Sequence, residues 1–333
     1  MKARPSSLPR ERLARDRRRA GEIFVATLKM TTTEPTPALR APFPWFGGKS
    51  RAADLVWQRL GPVPNYVEPF AGSLAILLGR PTPPKTETVN DLDCFLANFW
   101  RSIVHAPDEV AQWADSPLNE ADLHARHVSM IAAKAEHRER MLTEPDYFDP
   151  KLAGWWVWGQ CAWIGTGWCV EKSRKLPHLG DAGQGINRQL PHLGDAGRGI
   201  RNYFADLAAR LRRVRVACGH WDRVLGDSVT WRHGVTGIVL DPPYEEGEMQ
   251  YAEHSGLSSE VRAWCIENGN NRMLRIALCG LEGEHDLPGW DCVPWKARGG
   301  YGGQRSDSEN VNRKRERIWF SPHCLSNDDL FSK

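Results

Sequence analysis

The tetrad Asp241-Pro242-Pro243-Tyr244 ends the apolar run VTGIVL. Its two prolines fix the backbone and carry no N–H, so the segment offers acceptors, a carboxylate and a carbonyl, beside one aromatic face. Such a set suits a planar amine whose two hydrogens must both be held. The exocyclic amine of a nucleobase has that need, because its nitrogen lone pair is delocalised into the ring. It becomes nucleophilic when both hydrogens are engaged and the nitrogen moves toward a tetrahedral shape. Asp241 and the Pro242 carbonyl are the groups to engage them and Tyr244 the group to stack on the ring, once the base has left the duplex. Neither a covalent intermediate nor a metal is required. The plainer alternative is a strand that stops in a proline turn with an exposed aspartate.

A second stretch, PWFGGKS (Pro44–Ser50), ends like a phosphate-binding loop. That loop needs an earlier glycine, and here its position holds Phe43; prolines upstream also spoil the buried strand that should precede it. Gly47 and Gly48 still indicate close approach of backbone to a ligand, and Lys49 a charge, but the ligand is not a triphosphate.

Global properties bound the rest. A chain of 333 residues with a formal charge of +3 has ample core and no overall bias toward nucleic acid. Basic clusters are local, at Arg12–Arg19, Arg210–Arg215 and Arg313–Arg317. Eight scattered cysteines, with no C-x-x-C pair and no H-E-x-x-H, predict free thiols in a reducing cytoplasm rather than disulfides or a metal site. No apolar run reaches the roughly 18 to 20 residues of a membrane span.

Elements that must position these groups follow from the hydrophobic pattern. Residues 1–40 mix arginine, proline and threonine and predict a disordered basic leader, with Met30 as an alternative start. NYVEPFAGSLAILLGR and TETVNDLDCFLANFWRSI each read as strand, turn and helix, the beginning of a doubly wound α/β sheet. The pattern resumes after about residue 203 with YFADLAARLRRVRVACGHW, the strand before Asp241, a capped helix from Ser258, the strand RMLRIALCG and the late strand RERIWFSP. The expected organisation is one sheet domain, 41–105 with 204–325, carrying an inserted helical and loop lobe, 106–203. Ligands of such sheets sit at the carboxyl ends of the strands.

Taken together and in this order, PWFGGK, YVEPFAGS, VNDLD and DPPY resemble the Dam-type, D12 class DNA adenine methyltransferases, over about residues 41–322. The resemblance implies a Rossmann-like fold, S-adenosylmethionine as cofactor and methylation of adenine N6 in double-stranded DNA. It further implies a monomer in the cytoplasm of a bacterium or phage host, with no obligatory restriction endonuclease partner. Trp45, Gly47, Gly48 and Lys49 match the amino-terminal cofactor segment, and Glu68, Pro69, Phe70 and Gly72 the turn around its methionine part. Asp91 matches the acceptor for the ribose hydroxyls, with a helix N-cap as its alternative; Asp241 lies where cofactor and base meet. Two departures stand out. The family's F-x-G-x-G turn reads Phe70-Ala71-Gly72-Ser73-Leu74, and His220 follows Cys218-Gly219 where an acid is usual, with Asp222 as a substitute. Cytosine N4 presents the same two hydrogens and is the alternative target; a decayed, nucleic-acid-binding relative is a further one.

Five of the fifteen tryptophans fall within Gly154–Cys169. Trp155, Trp156 and Trp158 are expected in the core, whereas Trp163 and Trp168, set among glycines, are expected to stack on bases. Lys172, Arg174, Lys175, Arg188, Arg198 and Arg201 are the candidates for phosphate contact, solvated surface charge being the alternative. Within the same region LPHLGDAGQGI recurs as LPHLGDAGRGI, which predicts paired loops bearing His178 and His192, a recent duplication with one idle copy being the alternative.

Overall fold

The computed structural model describes residues 39–45, 49–82, 85–163, 167–170, 199–243, 256–295 and 315–326. The leader up to residue 38 and both copies of the LPHLGDAG repeat lie outside them. Five parallel strands, β1 (Asn65–Glu68), β2 (Thr86–Asp91), β3 (Val214–Cys218), β4 (Thr236–Leu240) and β5 (Leu274–Leu281), form most of the sheet. At one edge β7 (Glu316–Phe320) runs antiparallel between β5 and β6 (Asp291–Pro294). The order is β3-β2-β1-β4-β5-β7-β6, so the winding reverses between β1 and β4. That reversal opens the crevice in which doubly wound sheets bind ligands.

Alternation along the strands explains why both faces are covered. Tyr66, Val239, Ala277, Cys279, Ile318 and Phe320 point into one core, and Val67, Ile238, Leu240, Ile276, Leu278 and Trp319 into the other. β4, TGIVL, is buried at every position, which is how a central parallel strand reads in sequence. β6 was not legible in the alternating pattern, being short and largely exposed.

Helices α1 (Ala53–Leu60), α2 (Ala75–Leu78), α3 (Cys94–His105), α4 (Pro107–Ala114), α5 (Glu120–Thr143), α6 (Pro150–Ala162) and α7 (Ile200–Leu211) share the first core; α8 (Leu257–Asn268) covers the second face. Apart from the exposed Lys151 and from Gln160, α6 carries apolar residues on every side, the mark of a helix largely enclosed by others. Gly154 lets it approach α4, since a Cβ there would lie 2.4 Å from that of Trp113. Phe43 binds the layers together, with its ring 5.5 Å from Phe99 and 5.0 Å from Trp156. An insert in sequence is thus, over residues 106–163, part of the helical layer in space. The boundary expected at residue 203 falls inside α7, whose Tyr203 hydroxyl donates to the Arg40 carbonyl at 2.9 Å and accepts from its amide.

Candidate active site

The reversal of winding brings the ends of β1 and β4 side by side, and with them Glu68 and Asp241. Asp241 follows directly on β4, and its Oδ1 lies 3.0 Å from Lys49 Nζ. The lysine is only 5% exposed. A buried ammonium is costly to keep without a counter-charge, so the pair explains both its burial and its orientation. Its backbone is held as well, because the Lys49 carbonyl accepts from the amides of Ala52 and Ala53 at the entry to α1. Of the tetrad, Pro242 is buried and Pro243 exposed, while Tyr244 lies outside the described residues.

Glu68 occupies the last position of β1 and is buried. Its Oε2 accepts from the Tyr66 hydroxyl at 3.1 Å. Burial pushes its pKa up to about 8, the Tyr66 hydrogen bond opposes the rise, and the charge of Asp241 adds to it. At neutral pH Glu68 is therefore mainly a neutral carboxyl group beside an ionic pair.

The turn after β1 is fastened to the next strand. Asn90, itself buried, donates from Nδ2 to the carbonyls of Pro69 at 3.0 Å and Gly219 at 2.9 Å, tying the turns after β1 and β3 together. The Asp91 carboxylate accepts from the amides of Gly72 and Asp93, each at 3.0 Å. Asp91 is not the helix cap: Asp93 caps α3, accepting from Phe95 N at 2.9 Å. Burial raises the pKa of Asp91 to about 6, against the pull of those backbone amides. With the amides of Gly72, Asp93 and Leu92 drawing on roughly four lone-pair positions, its carboxylate retains an acceptor for a hydroxyl group.

Gly72 sits at φ +46, and a Cβ there would stand 2.7 Å from Trp45 Nε1. Glycine is needed for the conformation and for the close approach of Trp45. Leu74, where the resembled turn has its second glycine, adopts φ 54. The left-handed backbone is thus kept without the glycine, at a cost of about 1–2 kcal/mol, and the side chain is held fully buried. At the end of β3, His220 Nδ1 pairs with Asp222 Oδ1 at 2.7 Å, both exposed at the rim. Phe70 lies stacked near Trp221, ring centres 6.1 Å apart.

Of the residues expected to touch DNA, Trp163 and Trp168 prove to be packing residues, 5% and 8% exposed. Trp163 stacks on His127 at 4.7 Å, and the Trp168 indole donates to the Trp156 carbonyl at 3.0 Å. The physical reason is Gly159, whose missing side chain makes the space that the Trp168 ring fills. Arg201 is exposed in the first turn of α7. Lys172, Arg174, Lys175, Arg188 and Arg198, like Gly47 and Gly48 of the cofactor segment, lie outside the described residues.

Residues 45–141 match the family model described as D12 class N6 adenine-specific DNA methyltransferase. The match covers less than a third of the chain. The match makes it an enzyme of DNA adenine methylation and implies a methyl donor and DNA. No curated protein is similar enough to the chain to match it. The matched D12 segment contains Trp45, Lys49, Glu68, Gly72 and Asp91, whereas Asp241 lies beyond it and reaches the same place through the order of the strands. Among the described residues no group of histidine, cysteine, aspartate and glutamate is arranged to hold a metal ion, and no helix is long and apolar enough to cross a membrane.

Some residues at this candidate site were not legible in the sequence. Asn90 precedes the conspicuous Asp91 and carries no pattern of its own. Trp295, whose ring centre lies 5.4 Å from Lys49 Nζ, stands alone after a short exposed strand.

Proposed function

We propose that this enzyme transfers a methyl group from S-adenosylmethionine to N6 of an adenine turned out of double-stranded DNA. The observation that carries the proposal is the Lys49–Asp241 pair at the reversal of the sheet: an acceptor carboxylate, partly accessible, held by a buried cation and followed by two prolines. When bound, the cofactor supplies an electrophilic methyl group on a sulfonium.

The donor set suits that molecule. Glu68 at the end of β1 would accept from its ammonium, whose charge favours ionising the carboxyl on binding, and Asp91 at the end of β2 from its ribose hydroxyls, while the close-packed turn at Gly72 gives backbone rather than bulk near it. Glu68 and the turn through Gly72 would hold the methionine part, Asp91 the ribose, with Trp45 and Lys49 closing the site.

Asp241 accepts one amine hydrogen and the Pro242 carbonyl the other, which draws the nitrogen lone pair out of the ring. Lys49 keeps the Asp241 carboxylate oriented and balances its charge. The proton shed by the methylated amine passes to Asp241 Oδ and then to solvent. Tyr244 would stack on the base, excluding water from its face.

The test is incubation of the protein with labelled cofactor and duplex DNA, followed by nucleoside analysis. N6-methyladenine is expected; N4-methylcytosine, or no transfer despite cofactor binding, would refute the reading.

A further inference from the structure

Trp295 directly follows β6 and has no role in the mechanism above. Its backbone amide donates to the Glu316 carbonyl of β7 at 3.2 Å, which fixes where the side chain starts. The side chain is 7% exposed, and its indole N–H is buried without an acceptor among the described residues. Other buried indoles are satisfied: Trp57 donates to the Ile76 carbonyl at 2.7 Å, Trp100 to Gly72 at 3.1 Å and Trp158 to Ser116 at 3.0 Å. A buried donor left unmade is costly and rare enough to need a reason. Trp155 and Trp221 share the condition, but Trp155 packs against Trp113 and Trp221 against Phe70 and Trp264. Trp295 instead lies against Lys49, which stands 5.4 Å from its ring centre and 3.0 Å from Asp241.

We propose that Trp295 positions the target base: its face backs Lys49 against Asp241, and its N–H donates to the ring nitrogen beside the amine that Asp241 holds. This rests on the amine-methylation reading above. A base amine is always accompanied by such an acceptor, and adenine offers one on each side of N6, at N1 and at N7. An orphan donor on the ring that backs Lys49, the partner of the amine's acceptor, is the complement of that pair. Without an acceptor, the donor stays desolvated and unpaired, so the site favours a base that supplies one.

The experiment compares wild type, Trp295→Phe and Trp295→Tyr on duplexes carrying adenine, 1-deazaadenine or 7-deazaadenine at the mapped target. Phenylalanine and tyrosine keep an aromatic face for Lys49 and remove the indole N–H; matching melting curves and circular dichroism show that each variant folds. Both variants should lower kcat/KM on adenine roughly three- to tenfold, the worth of a neutral hydrogen bond. On one of the two deaza bases they should lose nothing further, and that base identifies the nitrogen contacted. Full activity of folded variants on adenine, or an additional loss on both deaza bases, would overturn the proposal. Wild type that methylates no adenine at all would remove the underlying reading, and this one with it.

Discussion

Lys49 Nζ and Asp241 Oδ1 stand 3.0 Å apart, joining the entry of α1 to the end of β4. The contact links the part of the chain that matches the D12 family to a tetrad beyond that match. It also makes the cation, rather than the prolines alone, the determinant of where the acceptor carboxylate sits.

Replacing the cation therefore has a distinct signature. Lys49→Met leaves Asp241 facing Glu68 with no counter-charge, and methyl transfer should fall by about 10²-fold, typical for loss of one preorganised electrostatic group. Lys49→Arg should retain part of the activity. Steady-state kinetics check this, and an unimpaired Lys49→Met enzyme would exclude the orienting role.

Glu68 gives the protein a specific dependence on pH. The folded carboxyl holds its proton up to about 8, whereas its ordinary value is 4.5. Between those values the unfolded chain binds fewer protons than the native one, so this group's contribution lowers stability as pH rises from about 4.5 to 8. Glu68→Gln removes the titration. Relative to wild type it should gain on the order of a few kcal/mol between pH 5 and pH 8.5, measured by denaturant unfolding at both. An unchanged difference would mean that Glu68 titrates normally.

Asn90 bears on stability and binding together. Asn90→Ala deletes the two hydrogen bonds to Pro69 and Gly219 and leaves their carbonyls without that donor. A loss of roughly 2–4 kcal/mol is expected by chemical denaturation, with weaker cofactor binding by calorimetry. Normal stability would show that the turns after β1 and β3 are held by other means.

At Gly72 both backbone and neighbour resist a side chain. Gly72→Ala should cost about 1–3 kcal/mol from the left-handed φ and the contact with Trp45. Part of it should be recovered on a Trp45→Ala background, where only the φ penalty remains. Equal losses on both backgrounds would place the whole cost in the backbone.

The strands were legible because each burial state has its own pattern: TGIVL is apolar throughout and central, and NYVE stops at an acidic turn. Long-range relationships were not. Nothing around Lys49 announces a partner just after β4, since an ion pair between distant segments imposes no local periodicity. VNDLD offers two aspartates two positions apart, and only the backbone decides that Asp93 caps α3 while Asp91 receives the Gly72 amide. Trp163 and Trp168 misled because flanking glycines suggest an exposed loop, whereas Gly159 provides a seat for one ring and His127 for the other. Trp156 and Trp158 of α6 were expected in the core and lie there, but nothing in the sequence showed which helices enclose them.

Under the proposed function Asp241 holds the amine that is methylated. Asp241→Ala, assayed for transfer of label to duplex DNA alongside cofactor and DNA binding, tests it most directly. A folded protein that still binds DNA yet transfers no measurable methyl group is expected. Turnover comparable to wild type would contradict that role.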